Sequence, residues 1–359
     1  MSNEYLKTEL IRNIQKSGPI PFSQFMEIVL YHPEWGYYST RNETQDYITN
    51  VDVHPIYGKL LAYFILQECE RFFLKNNERI SILELGCGNG KLASQILSQI
   101  EATPWKNKIQ YYCIDASPER RAACEKLKTR FNLPIQVLSH FNFKKNTLKG
   151  IVFSNEFFDA LPFDRIISKN KTWYEFFVNE NIQEILQPAR KETIEYLNEL
   201  KIYPSENAIA EVHRTSKEWI QKITNALQFG TILTIDYGYE TQELYSEFKM
   251  EGTALCHLKN KTNKNFYTHL GEQDITAHIN FTTLMQTAQK HGFESEKLKT
   301  QTQFLLNQNL EEWIQSIPKI KDSKEQLQLS SAIKTLIHPE GMGGTFKVLI
   351  QRKTEKLSR

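Results

Sequence analysis

Seven consecutive residues, Glu84-Leu85-Gly86-Cys87-Gly88-Asn89-Gly90, set three glycines at alternate positions directly after the apolar run Ile80 to Leu83. Glycines that follow a buried strand and open a helix let the backbone approach a ligand closely beneath the helix N-terminus. A dinucleotide fingerprint of the form G-x-G-x-x-G needs glycine at position 91, which is Lys91 here, and the phosphate loop G-x-x-x-x-G-K-[ST] has no match in this turn. An acid at the strand end, Glu84, with the spacing G-x-G-x-G suits a ligand that presents an amino acid moiety rather than a pyrophosphate. Asp115 closes the next apolar run, where an acidic side chain accepts hydrogen bonds from a ribose diol. The competing account makes the glycines a matter of helix packing and Asp115 a helix cap.

These residues need a scaffold of alternating strands and helices. From Arg79 onward ISILEL, IQYYCID, PIQVLS and GIVFSN read as strands, with a helix from about Lys91 to Ile100 and another opening at Ser117-Pro118. After NEFFDALP the rhythm breaks into DRIISKNKTWYEFFVNE, a hairpin with Lys169-Asn170-Lys171 as its turn, and residues 181–208 are charged and weakly patterned. It resumes with an amphipathic helix over Ala210 to Leu227, the strand TILTIDYG, a helix at Phe281 to His291, and two closing strands, FESEKLKT and FKVLIQRK. Before Arg79, helices over residues 4–16, Phe22 to Tyr31 and Pro55 to Leu74 form an N-terminal cap. Strands that alternate with helices predict a doubly wound α/β sheet, whose ligands lie at the carboxyl ends of the strands.

Composition narrows the partners. The 359 residues carry 44 Lys plus Arg against 42 Asp plus Glu, a net of +2 that gives no field to gather nucleic acid. A hydrophobic share of 40% with 21 Phe and 16 Tyr describes a folding chain. No apolar run approaches the roughly 20 residues of a membrane span and no secretory signal opens the chain, so the expectation is a soluble, cytoplasmic protein without membrane insertion. Cys69, Cys87, Cys113, Cys124 and Cys256 form no C-x-x-C pair, and neither a metal site nor a disulfide framework is expected.

Eight blocks in one order give the chain a family likeness: GPIPFSQFMEIVLYHPEWGYYS, DYIT with PIYGKLLA, ILELGCGNGKLA, DASPERR, SNEFFDALPFDR, LTIDYGY, QDITAHINF and GMGGTFKVL. The sequence resembles the MidA-like class I methyltransferases, which include the mitochondrial arginine methyltransferase needed for assembly of respiratory complex I. The resemblance implies a seven-stranded, Rossmann-like sheet in residues 79–359, a cap and cofactor lid in 1–78, and substrate-binding insertions at about 163–208, 239–276 and 300–340. It departs from the family at Gln45, where a glycine is common, at Asn50-Val51-Asp52, where a Pro-Glu pair is common, and at Asp115, often a glutamate.

Carried over residue by residue, the resemblance implies that S-adenosylmethionine lies against Thr49, Glu84, Gly86, Gly88, Gly90, Asp115, Ala116 and Asn155, with Asp46 and Tyr47 in the lid. The implied function is methylation of a protein arginine, in a complex I subunit or another protein, with a small-molecule acceptor or an assembly chaperone of little turnover as alternatives. A guanidinium is a poor nucleophile with a pKa above about 12, so a carboxylate must orient it. Glu156 is the first candidate, then Asp159 and Asp274, with Asp236 able to face the same crevice. The bland account has Asn155 capping a following helix and Asp159 in its first turn. His278 is read as a packed or capping residue. Tyr37 and Tyr38 either line an acceptor channel or pack the cap, while packing is the better account of Tyr31 and Trp35.

Overall fold

A computed structural model describes residues 2–40, 49–73, 79–203, 205–246 and 249–355. The lid residues Asp46 and Tyr47, and Gln45 before them, lie outside the described residues. The chain divides into two compact units, one of Met1–Tyr47, Phe157–Ile220 and Tyr237–Thr287, the other of Ile48–Glu156, Gln221–Asp236 and Ala288–Arg359.

The second of these units holds the large sheet. Its order is Glu294–Ser295, Phe346–Lys353, Leu227–Tyr239, Leu148–Asn155, Ile80–Leu85, Ile109–Ile114, Ile135–Leu138. The pairs from Leu227–Tyr239 through Ile135–Leu138 all run parallel. Strands buried on both faces carry continuous apolar runs, and five of the six residues in ISILEL are buried. The helix Lys91–Ile100 covers the sheet with Leu92, Ala93, Ile96, Leu97 and Ile100. Residues 301–337 form the helices Gln301–Leu306, Leu310–Ser316 and Ser323–Ile337, which fall in the same unit as the large sheet.

Counted with two short additions, the sheet has nine strands among the described residues rather than seven. FESEKLKT is not one strand: Glu294–Ser295 and Lys299–Thr300 pair separately with Phe346–Lys353. Between them Glu296 turns its carboxylate to Lys299 at 2.6 Å and to Arg352. The other addition, Ile279–Asn280, pairs with Gly238 and Tyr239.

The expected boundary at residue 78 is not where the chain divides. The helix Ile56–Phe73 belongs with the sheet, because its buried Glu68 receives Arg352 Nε and Nη2 at 2.7 and 2.8 Å and the Thr231 hydroxyl at 2.5 Å. The first 40 residues belong instead with Phe157–Ile220 and Tyr237–Thr287. Ile20 and Pro21 pair with Val178 and Phe177, extending a five-stranded antiparallel sheet built from Asp164–Lys169, Thr172–Val178, Glu184–Pro188 and Ile209–Val212. Phe22, Phe25, Met26 and Leu30 of the helix Phe22–Tyr31 share an apolar core with Phe163, Val178 and Phe266.

The hairpin turn falls where expected, with Asn170 and Lys171 at φ of +52° and +58°, the pair of left-handed residues that a tight hairpin requires. Residues 181–208 are more ordered than their charge suggests, with the strand Glu184–Pro188 and the helix Lys191–Glu199. The helix expected over Ala210 to Leu227 begins only at Arg214, since Ile209–Val212 is claimed as an edge strand by Asp164–Ile167.

Candidate functional site

Leu85 and Asn155 end adjacent parallel strands at the point where the strand order of the sheet reverses. Open parallel sheets hold their ligands at this point. Past Leu85 the chain turns through Gly86, Gly88 and Gly90, at φ of +66°, +54° and +79°. Gly86 N and Cys87 N hold the turn to Ile114 O at 2.9 and 3.2 Å. A Cβ built on Gly90 would lie 3.1 Å from both Cys124 Sγ and Leu127 Cδ1, so that glycine answers to packing. A Cβ on Gly88 meets no described heavy atom within 4 Å, so Gly88 borders open space.

Asp115 is buried, with its two oxygens accepting from Gly88 N and Ser117 N, each at 2.9 Å. Burial pushes its carboxyl above the usual carboxylate range. It is not the helix cap: Ser117 caps Pro118–Glu125 by accepting from Arg120 N. Ala116 is exposed beside it, its carbonyl accepting from Arg121 Nη1 at 2.6 Å. Glu84 is in the core, where Tyr111 Oη donates to Oε2 at 2.6 Å and burial pushes the carboxyl up to about 8.

Across the switch point, Asn155 accepts from Tyr57 Oη and donates to Glu156 Oε1 at 3.0 Å. The helix that a capping Asn155 would require is not there; a turn follows the strand. Glu156 stands at φ +53°, a conformation that costs a non-glycine residue energy and recurs at functional sites. Its backbone N–H donates to Ile235 O at 3.0 Å, and Oε1 also accepts from Asn50 N at 3.4 Å. Oε2 is shielded and has no hydrogen-bond partner among the described residues. Burial, then repulsion from Asp236, pushes the Glu156 carboxyl up to about 8.

Thr49 Oγ1 donates to Asp52 Oδ2 at 2.8 Å, and Asp52 Oδ1 meets Lys91 Nζ at 2.7 Å. Burial raises Asp52, but the Lys91 ammonium and the Thr49 donors outweigh it and leave the carboxyl below its ordinary value. Lys91, the residue that breaks the dinucleotide fingerprint, is therefore the tie from the glycine turn to the segment that follows Thr49.

Asp159 and Asp274 fall in the other compact unit. Both are buried. Asp274 receives Tyr38 Oη at 2.8 and 3.0 Å on its two oxygens and Ile275 N at 2.9 Å, while Asp159 O accepts from Ala277 N at 3.1 Å. Tyr37 is packed in the core, and Tyr31 Oη donates to Ala160 O at 2.9 Å. His278 packs between aromatic rings, 5.3 Å from Tyr239 and 6.3 Å from Tyr237. Sequence reasoning gave no role to Tyr57 or Asn50, which flank Asn155 and Glu156; the only signal was the place of Tyr57 in the PIYGKLLA block.

Comparison with known proteins returns a match over residues 60–322 to a family described as "Putative S-adenosyl-L-methionine-dependent methyltransferase". The protein arginine methyltransferase NDUFAF7, mitochondrial, of Danio rerio is 24% identical over 99% of this chain and 89% of its own length. The human protein of the same name is 24% identical over 94% of this chain and 81% of its own. A crystal structure from Burkholderia thailandensis bound to S-adenosyl-homocysteine superposes with a TM-score of 0.85 at 25% identity, covering 98% of this chain and 92% of that one.

Proposed function

The chain belongs to the family of S-adenosyl-L-methionine-dependent methyltransferases, and from that premise we propose that its acceptor is an arginine side chain of a protein. The donor supplies an electrophilic methyl group on a sulfonium. Gly86, Gly88 and Asp115 would hold it, with Ala116, Asn155 and Thr49 at its edges, while Gly90, packed against Cys124 and Leu127, shapes the turn from behind; the open space over Gly88 fits such a ligand. Glu84, occupied by Tyr111, would act on the turn from behind rather than touch the donor.

The observation that carries the arginine assignment is Glu156, whose shielded Oε2 has no partner among the described residues while Asn155 and Asn50 hold Oε1 in place. A guanidinium offers N–H donors in a fixed fork to such a carboxylate. Its positive charge lowers the Glu156 pKa and forms an ion pair, which orients one nitrogen for in-line approach. As that nitrogen takes the methyl group, the carboxylate is placed to accept the proton it sheds. Asp236 is the second negative charge felt by Glu156, favouring a cationic acceptor over a neutral one. Asp159 and Asp274 have a supporting role in the insertion-bearing unit. That unit supplies surface for a protein partner, a respiratory complex I subunit being the first to examine; no nucleic acid enters the proposal.

The test is incubation of the purified chain with labelled S-adenosyl-L-methionine and a lysate from a strain lacking it, followed by hydrolysis of the labelled band. Methylarginine in a protein band is expected. Label confined to lysine or to small molecules would overturn the assignment, and donor binding without any labelled product would point to an assembly factor.

A further inference from the structure

Three buried thiols meet behind the glycine turn. Cys87 comes from the turn, Cys113 from the strand Ile109–Ile114 and Cys124 from the helix Pro118–Glu125, and the three Sγ atoms lie within 4.8 Å of one another. Cys87 and Cys124 Sγ are 3.5 Å apart, and the Cys124 thiol donates to Gly88 O at 3.3 Å. Their scatter along the sequence hides the cluster, which exists only because two adjacent parallel strands and the helix that follows the second one converge.

Sulfurs at about 2.3 Å from a central ion in a trigonal plane stand about 4.0 Å from one another, a spacing bracketed by the 3.5 Å contact and the 4.8 Å limit seen here. Three sulfur donors, no histidine or carboxylate in the group and no exposed member describe a soft, low-coordinate environment. We propose that Cys87, Cys113 and Cys124 form a three-thiolate site for a monovalent thiophilic cation, cuprous ion being the type, whose binding fixes the turn that carries Gly86 to Gly90. Binding replaces the remaining S–H protons by metal–sulfur bonds and releases them to solvent, with no change of oxidation state. The site stands independently of the acceptor assigned above.

The experiment titrates reduced full-length protein with cuprous ion buffered by bicinchoninate, and separately with zinc sulfate, followed by desalting and elemental analysis. One retained copper per chain is expected, with thiolate-to-metal absorption in the near ultraviolet and a raised melting temperature. Cys113→Ser and Cys124→Ser should each lose retention at least tenfold, while Cys69→Ser and Cys256→Ser keep it. Should the first pair not fold, copper-loaded wild-type protein still decides the matter: alkylation on unfolding should spare Cys87, Cys113 and Cys124 relative to Cys69 and Cys256. No retained copper, retention unaffected by the cluster substitutions, or zinc held in preference to copper would each overturn the proposal.

Discussion

Replacing Gly88 with alanine separates ligand binding from folding, and the neighbouring Gly90 supplies the control. Both glycines have positive φ, +54° and +79°, so either alanine bears the left-handed cost of about 1–2 kcal/mol, partly offset by the lower entropy of the unfolded chain. At Gly88 nothing further is added, since the new methyl meets no described atom within 4 Å. At Gly90 the methyl would press on Cys124 Sγ and Leu127 Cδ1 at 3.1 Å, an overpacking that adds about 1–3 kcal/mol. For a chain of this size about 1 kcal/mol moves the melting temperature by roughly 2 °C, so Gly88→Ala should melt close to wild type and Gly90→Ala several degrees lower. Calorimetric titration with S-adenosylhomocysteine should show the reverse order, with Gly88→Ala weakened on the order of 100-fold, about 2.7 kcal/mol. A folded Gly88→Ala that binds with wild-type affinity, or one that melts as low as Gly90→Ala, would refute the placement of the ligand over Gly88.

Glu156→Gln should retain most donor affinity in the same titration yet lower methylation by 100-fold or more, and equal rates would make Glu156 structural. The Glu156 carboxyl is raised in the folded chain from an ordinary value of 4.5 to about 8, so its contribution to stability is complete below 4.5 and lost as pH climbs through 8. Denaturant midpoints should show wild type losing on the order of 2–4 kcal/mol relative to Glu156→Gln between pH 5 and 8.5, each tenfold of proton affinity being worth about 1.4 kcal/mol. Asp115→Ala should weaken donor binding by about 1.5–3 kcal/mol, the worth of a hydrogen bond to a charged group, with sinefungin weakened in parallel. Lys91→Ala removes the ion pair with Asp52, which is half exposed at 45% and 40%, and should cost at most about 1 kcal/mol in thermal unfolding.

What could be read from the sequence was local. The glycine turn announces itself because ISILEL, three glycines and an amphipathic helix are contiguous, and the hairpin because Lys169-Asn170-Lys171 is flanked by alternating residues. Glu156 could be singled out by its place after a strand; its raised pKa could not, because that depends on Asp236 and on burial beneath other segments. Pairings that span the chain were invisible: Ile20 with Val178 is a two-residue bridge carrying no periodic signal, and Glu68 reaches Arg352 across 284 positions. The helix read across Ala210 to Leu227 failed at its start because AIAEV fits either period, and only the partner strand Asp164–Lys169 decides. Asp159 and Asp274 ranked behind Glu156 as candidate carboxylates, and the structure shows Asp274 engaged by Tyr38 and its own loop.

The clasp of Glu68 by Arg352 and Thr231 sets an order of assembly on the ribosome. The helix Ile56–Phe73 is synthesised long before its cation, which sits in the last strand, Phe346–Lys353. Until that strand arrives, the docked helix would hold its buried carboxylate with the Thr231 hydroxyl and with Arg71 Nε at 3.1 Å from its own next turn, but without the two N–H donors of Arg352. The final strand is therefore the element that completes the partners of Glu68, and through Arg352 it ties the helix near the start of the sheet unit to the strand at its end.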